Sequence, residues 1–253
     1  MTLRALIFDV DGTLANTERD GHLVAFNLAF EELGLDWVWS NELYHKLLDV
    51  TGGQLRIKHY VNDYKPDFTY DDLDAFAASV HALKTEIYVR LVNEGKIPLR
   101  PGVERLFHEA RDAGLRMAIA TTTTPANVDA LIANTLGHEA LDWFEVIGAG
   151  NVVTNLKPAG DIYQWVLEQM NLEAKDCIAF EDSHNGIVSA TDANLKTLIT
   201  TNEYTESHQF DEAIVILNNL GEPNKPFALI EGDATDATYV TIDYLKELHA
   251  KYC

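Results

Sequence analysis

The chain has 253 residues, 47% of them hydrophobic, and its 40 Asp and Glu against 19 Lys and Arg give a formal net charge of −21. That length supports one sizeable core, or a core carrying a smaller unit, and the charge argues against nucleic acid and anionic membrane surfaces as partners. No apolar run is long enough to span a bilayer, the distant Cys177 and Cys253 make neither a disulfide framework nor a zinc site, and no charged-then-apolar leader precedes the first strand, so the expected location is the cytoplasm.

Arg4 to Phe8 is a short apolar run closed by Gly12, and it reads as a buried strand whose carboxyl end opens into a turn. In open α/β sheets that end is where ligands bind. Strand alternation sends Asp9 and Asp11 to the same side. Such a pair can take a hard cation such as Mg²⁺, or divide nucleophilic attack and proton transfer between its members. An ordinary strand-end turn uses the same residue types. From Thr17 to Leu33 the apolar residues Leu23, Phe26, Phe30 and Leu33 follow helical spacing, with Gly34 as a stop. Ser40 caps a second predicted helix ending near Gly52-Gly53, a third runs from Gln54 to Val61, and a fourth from Tyr70 to Asn93 before Gly95. This block has no strand signal and reads as a separate lid.

From Arg100-Pro101-Gly102 onward helix and strand alternate, which predicts a parallel α/β sheet. The expected strands are Leu115 to Ala120, Phe144 to Ile147, Cys177 to Phe180, Thr197 to Thr200 and Ala213 to Leu217, with helices closing at Gly114 and Gly137. One strand precedes the helical block and the others follow it, so the block is an insertion into one α/β domain. The stretch from Phe227 to Cys253 is polar and then helical.

Three further strand ends carry candidate chemistry. Thr121-Thr122-Thr123-Thr124 precedes Pro125; Thr124 can cap the helix that Pro125 starts while Thr121 contacts a phosphate. Leu156-Lys157-Pro158 offers an ammonium, on backbone that the proline constrains to an extended form, to neutralise a carboxylate nucleophile and an incoming phosphate together. Glu181-Asp182-Ser183 brings two more carboxylates to a strand end; Asp182 or Ser183 can cap the next helix, and two acidic strand ends together can complete an oxygen cage for Mg²⁺.

With Asp9-Val10-Asp11-Gly12-Thr13, Thr121, Lys157 and Glu181-Asp182 in this order, the chain closely resembles the haloacid dehalogenase-like phosphohydrolases, through about residue 220. The resemblance implies a Rossmann-like core of residues 1–14 and 96–253 and an inserted all-helical cap of residues 15–95. It implies Asp9 as the nucleophile forming an aspartyl-phosphate, Asp11 as general acid and then base, Thr121 as the phosphate contact and Lys157 as the charge offset. Mg²⁺ is then held by the Asp9 carboxylate, the Asp11 carbonyl and Asp182, with Glu181 acting through water. Crowding by other carboxylates is expected to keep Asp11 protonated at the start.

The narrower resemblance is to the CbbY-type branch, which includes xylulose-1,5-bisphosphate phosphatases, and to the related β-phosphoglucomutases. It rests on Thr17-Glu18 through Gly21-His22, Thr51-Gly52-Gly53 through Arg56-Ile57, Lys84-Thr85-Glu86, Leu99-Arg100-Pro101-Gly102 and Ala120-Thr121-Thr122-Thr123. It implies substrate contacts from Glu18, His22, Gly53, Arg56, Thr122 and Thr123, with Arg56 anchoring a second, non-transferring phosphate. The chain departs from the branch's usual Gly-Gly-Lys-Glu-Arg by reading Gly53-Gln54-Leu55-Arg56, without the lysine and the acidic residue. The expected enzyme is a monomeric, Mg²⁺-dependent phosphatase of a small phosphorylated sugar. The alternatives are a phosphomutase using the same aspartyl-phosphate, and a regulatory protein that keeps the fold without turnover.

Overall fold

In the computed structural model, which describes residues 2–48, 50 and 52–253, the chain divides into two compact units. One comprises Met1–Asn16 and Pro98–Cys253, the other Thr17–Ile97. Met1, at the start of the expected core, and Thr51, part of a stretch quoted above, lie outside the described residues.

The larger unit is built on a sheet with strands β1 (Ala5–Phe8), β2 (Arg116–Ala120), β3 (Val146–Gly148), β4 (Cys177–Glu181), β5 (Lys196–Thr200), β6 (Ala213–Leu217) and β7 (Leu229–Gly232). Their order is β3-β2-β1-β4-β5-β6-β7. β1 through β6 pair in parallel, and β7 pairs antiparallel with β6. β1 is therefore an interior strand, flanked by β2 and β4, and the direction of winding reverses between β1 and β4, which is where such sheets open a crevice. All four β1 residues are buried, as strands covered on both faces require. Ala5 and Ile7 pack with Ala118, Ala179, Tyr163 and Val166 in one core, while Phe8 stacks on Phe180 at 4.5 Å and meets Phe107 edge-on at 5.0 Å. The chain leaves this unit after Asn16 and rejoins it at Pro98; Ala15 bridges Leu99, and Arg100 N–H donates to Leu14 O at 2.8 Å.

Several sequence expectations need correction. β7 was not expected: all four of its residues are exposed, so no apolar alternation marks it, and the sheet is mostly rather than wholly parallel. The polar stretch after residue 227 therefore holds a strand before its helix, Ile242–Tyr252, which Thr241 caps. β3 begins two residues later than expected because Phe144 closes the 3₁₀ turn His138–Trp143.

The smaller unit is helical. It opens on a π-helical turn, Glu18–Leu23, that continues as α1 (Val24–Glu32), followed by α2 (Asn41–Leu47), α3 (Gly53–Tyr64) and α4 (Leu73–Asn93). Ser40 caps α2 as expected, but the helix ends at Leu47, and Gly52, at φ 93°, opens α3 instead of closing α2. Its core is aromatic: Phe26, Phe30, Trp37, Trp39, Tyr44 and Tyr60 are buried, and Asn27 fixes the α1–α2 loop by bonding both the N–H and the C=O of Trp39, at 2.8 and 2.9 Å. Among the described residues, no helix is long and apolar enough to cross a membrane.

Candidate active site

The parallel strands place four segments together at the carboxyl end of the sheet. Asp9 follows β1 directly; it is buried and its N–H donates to Phe180 O of β4 at 3.0 Å. The turn behind it is tight, with Thr13 and Leu14 N–H both donating to Val10 O. Gly12 has φ +86°, and a Cβ there would run into the Asp182 carboxylate, so both backbone conformation and close approach require glycine. Asp11 is half-buried in this turn, bridged to Ala15.

Lys157 lies in a turn after β3, and its side chain is only 7% exposed. An ammonium has three N–H donors. These reach Asp9 Oδ1 at 2.7 Å, Glu181 Oε1 at 2.6 Å and Ala120 O at 2.8 Å, tying the ends of β1, β4 and β2 together. The Lys157–Pro158 peptide bond that follows is cis. Glu181 Oε1 also accepts from Tyr163 OH at 2.6 Å, and the Tyr163 ring lies 5.0 Å from the ammonium. Gly186 meets the Glu181 carboxylate where a Cβ would sit. Ser183, not Asp182, caps the following helix, His184–Asp192. Asp182 is instead bonded by Asn202 Nδ2 at 2.7 Å.

Thr121, one residue beyond β2, is buried; its N–H donates to Gly148 O at 2.9 Å and its Oγ1 accepts from Thr123 N–H at 3.2 Å. Thr122 is exposed and Thr123 half-buried, with Thr123 Oγ1 bonded to Asn127. Thr124 Oγ1 accepts from Asn127 N–H, so the capping role belongs to the fourth threonine and Pro125 starts the helix.

Oxygen atoms of Asp9, Glu181 and Asp182, all buried, lie within 4.8 Å of one another. Burial and then the charges of its neighbours push Asp182 well above the usual carboxylate range, with Arg100 and Asn202 opposing. Glu181 is raised by burial and then by Asp9, against the pull of Lys157. Burial alone would lower Lys157, but Asp9 and Glu181 outweigh it and hold the ammonium charged. Among the described residues, Lys157 is the cation hydrogen-bonded to these carboxylates. An all-oxygen donor set of this kind suits a hard divalent cation.

The remaining candidates lie in the helical unit and form a second cluster. Arg56 is buried, its Nε donating to Leu47 O and its Nη1 to Tyr44 OH, both at 3.0 Å. Tyr44 OH in turn donates to Glu18 at 2.6 Å. His22 Nδ1 lies 2.8 Å from Lys84 Nζ, and its ring stacks on Tyr88 at 4.1 Å. Gly53 faces the His81 ring, which a Cβ would strike.

A model of the haloacid dehalogenase-like hydrolases matches residues 3–194. The chain belongs to this family. Among haloacid dehalogenase-like relatives, plasmid-borne CbbY of Cupriavidus necator is 46% identical over 88% of each chain, and CbbY of Rhodobacter capsulatus is 49% identical over 84% of this chain and 92% of its own. The crystal structure of a mutant CbbY from Rhodobacter sphaeroides in complex with xylulose-(1,5)bisphosphate superposes with a TM-score of 0.73 at 40% identity, covering 86% of this chain and 95% of that one. The family and these relatives make the chain a haloacid dehalogenase-like phosphatase of the CbbY-type branch.

Sequence reasoning passed over Tyr163, Arg100 and Asn202 as parts of this phosphatase site. Tyr163 sits at an apolar helical position and reads as core. Asn202 did leave a signal: it follows the carboxyl end of β5, the same kind of position that drew attention on β1, β2 and β4.

Proposed function

We propose that this haloacid dehalogenase-like phosphatase hydrolyses a phosphorylated sugar in a Mg²⁺-dependent reaction through a phosphorylated Asp9. The observation that carries the reading is the Lys157 ammonium joined to both Asp9 and Glu181, with Asp182 alongside, at the ends of β1 and β4. The Asp9 carboxylate attacks phosphorus, the bond to the sugar oxygen breaks, and Asp11 gives that oxygen a proton. Water then attacks the phosphorus of the aspartyl-phosphate, Asp11 takes the water's proton, and the Asp9 carboxylate is regenerated with release of phosphate. Lys157 balances charge on Asp9 as the anionic phosphate approaches, and Thr121 holds the phosphoryl oxygens. Asp9, the Asp11 carbonyl and Asp182 would hold Mg²⁺, with Glu181 supporting the set through water. The ion supplies neutralisation of the phosphoryl oxygens. Most of the rate enhancement in this chemistry is positioning and electrostatics.

The preferred substrate in this reading is a sugar bisphosphate, xylulose 1,5-bisphosphate first, supported by the complex of the Rhodobacter sphaeroides relative. Thr122 and Thr123 flank the transferring phosphate, while Glu18, His22 and Gly53 contact the sugar and Arg56 anchors the second phosphate.

Hydrolysis of a generic aryl phosphate, with and without Mg²⁺, tests the chemistry. Native protein is expected to turn over only with the ion and Asp9→Asn not at all; equal rates in the two proteins would remove Asp9 as nucleophile. Incubation with β-glucose 1-phosphate tests the outcome: phosphate release is expected, and isomerisation faster than release would replace hydrolysis by mutase chemistry.

A further inference from the structure

Arg100 is a buried arginine that donates chiefly to main-chain carbonyls. Its Nη1 donates to Gly12 O and to Thr200 O at 3.0 Å, and its Nη2 to Thr201 O at 2.5 Å and Asn218 O at 2.8 Å. It thereby joins the turn after β1 to the ends of β5 and β6. Two of the three segments it fixes bear on Asp182. On one side Gly12 lies against the Asp182 carboxylate so closely that a Cβ has no room. On the other, Thr201 is followed by Asn202, whose Nδ2 donates to Asp182 Oδ2 at 2.7 Å.

The orientation of the Asn202 amide follows from its other bonds. Tyr204 N–H can only donate, and it points at the Asn202 side chain at 3.0 Å, so the atom there is Oδ1 and the NH₂ group faces Asp182. Asn202 N–H donates to Thr205 Oγ1 at 3.0 Å, which closes the turn. A fixed amide donor on Oδ2 sets the rotation of the carboxylate, with Oδ1 as its other oxygen, and a carboxylate oxygen of Asp182 lies within 4.8 Å of oxygens of Asp9 and Glu181. Among the described residues no hydrogen bond reaches that Oδ1. This is the arrangement by which outer groups orient a ligating carboxylate.

We infer that Asn202 is a positioning residue that presents Asp182 to a divalent cation, and that Arg100 acts through it by clamping Gly12 and Thr201. The inference rests on the metal site proposed above and concerns two residues to which the sequence reading assigned no role in the site. Calorimetric titration of Mg²⁺ alone into metal-free protein tests it, alongside the denaturation midpoint in EDTA. Asn202→Ser keeps a side-chain acceptor for Tyr204 N–H, as Ser does in such turns, and its shorter side chain withdraws the amide donor from Asp182 Oδ2. The expected result is Mg²⁺ affinity weakened by about tenfold with an unchanged midpoint in EDTA. Arg100→Lys keeps the charge but cannot span both carbonyl sets, and is expected to weaken Mg²⁺ in the same direction. Native affinity in Asn202→Ser would overturn the inference. So would a fall in its EDTA midpoint with affinity retained, which would assign Asn202 to the loop alone. If native protein takes up no Mg²⁺, the metal reading itself fails, and the two failures are distinguished by that control.

Discussion

Lys157 directs its three N–H donors to three strand ends, and no other residue type repeats that geometry. Lys157→Met is expected to lower kcat on an aryl phosphate by about 10²–10³-fold, the range for losing one preorganised electrostatic donor. Lys157→Arg should not rescue it, because a planar guanidinium cannot donate in those three directions. Tyr163→Phe deletes the hydroxyl on Glu181 Oε1 and should cost about tenfold, since Glu181 retains the lysine. Steady-state kinetics on the three variants checks the ranking; a Tyr163→Phe loss as large as that of Lys157→Met would mean the tyrosine does more than hold Glu181. At this scale the sequence shows chemistry where a polar residue interrupts a strand end, as at Asp9, Thr121 and Glu181-Asp182. It does not show partners, because a tyrosine on an apolar helix face or an asparagine in a loop looks the same whether or not it touches a carboxylate.

The helices of the smaller unit hold buried charge, which their amphipathic patterns do not reveal. Arg56, expected from the resemblance to anchor a second phosphate, stands on α3, which runs from Gly53 to Tyr64, and its guanidinium is bonded to Leu47 O and Tyr44 OH. Arg56→Lys keeps the charge and loses that fork, so it should raise KM more for a sugar bisphosphate than for its monophosphate; a uniform rise would remove the anchoring role. His22 is held in its neutral form instead. Burial, and then the charges of Lys84, Arg56 and His81, hold it well below its ordinary 6.5, so the folded unit keeps the imidazole neutral. The unfolded chain takes up the proton first. Stability from this group is therefore full above pH 6.5 and is lost as pH falls below it toward the folded value. Denaturation midpoints measured at about pH 7.5 and about pH 5.5 should fall less in His22→Gln than in the native protein. An equal fall in both would assign the acid sensitivity elsewhere, with His81, which is shifted the same way, the next candidate.

At the scale of the whole chain, a net charge of −21 repels phosphate, and the carboxylates at the strand ends add to that repulsion. The fold brings residues 9, 157, 181 and 182, far apart in the chain, to the carboxyl ends of β1 and β4, and sets the Lys157 ammonium against two of the carboxylates. This much was legible, because strand-then-helix alternation determines a parallel sheet and a parallel sheet puts every strand's carboxyl end on one edge. The antiparallel β7 was not, since an exposed edge strand needs no apolar pattern. The most direct test of the central claim is to quench native protein in acid during turnover of a phosphorylated sugar with Mg²⁺, reduce it with borohydride, and map the modified residue by peptide mass spectrometry. An acyl phosphate at Asp9 predicts homoserine at position 9 and nowhere else; an unmodified Asp9 under conditions where phosphate is being released, or homoserine at another carboxylate, would contradict the account.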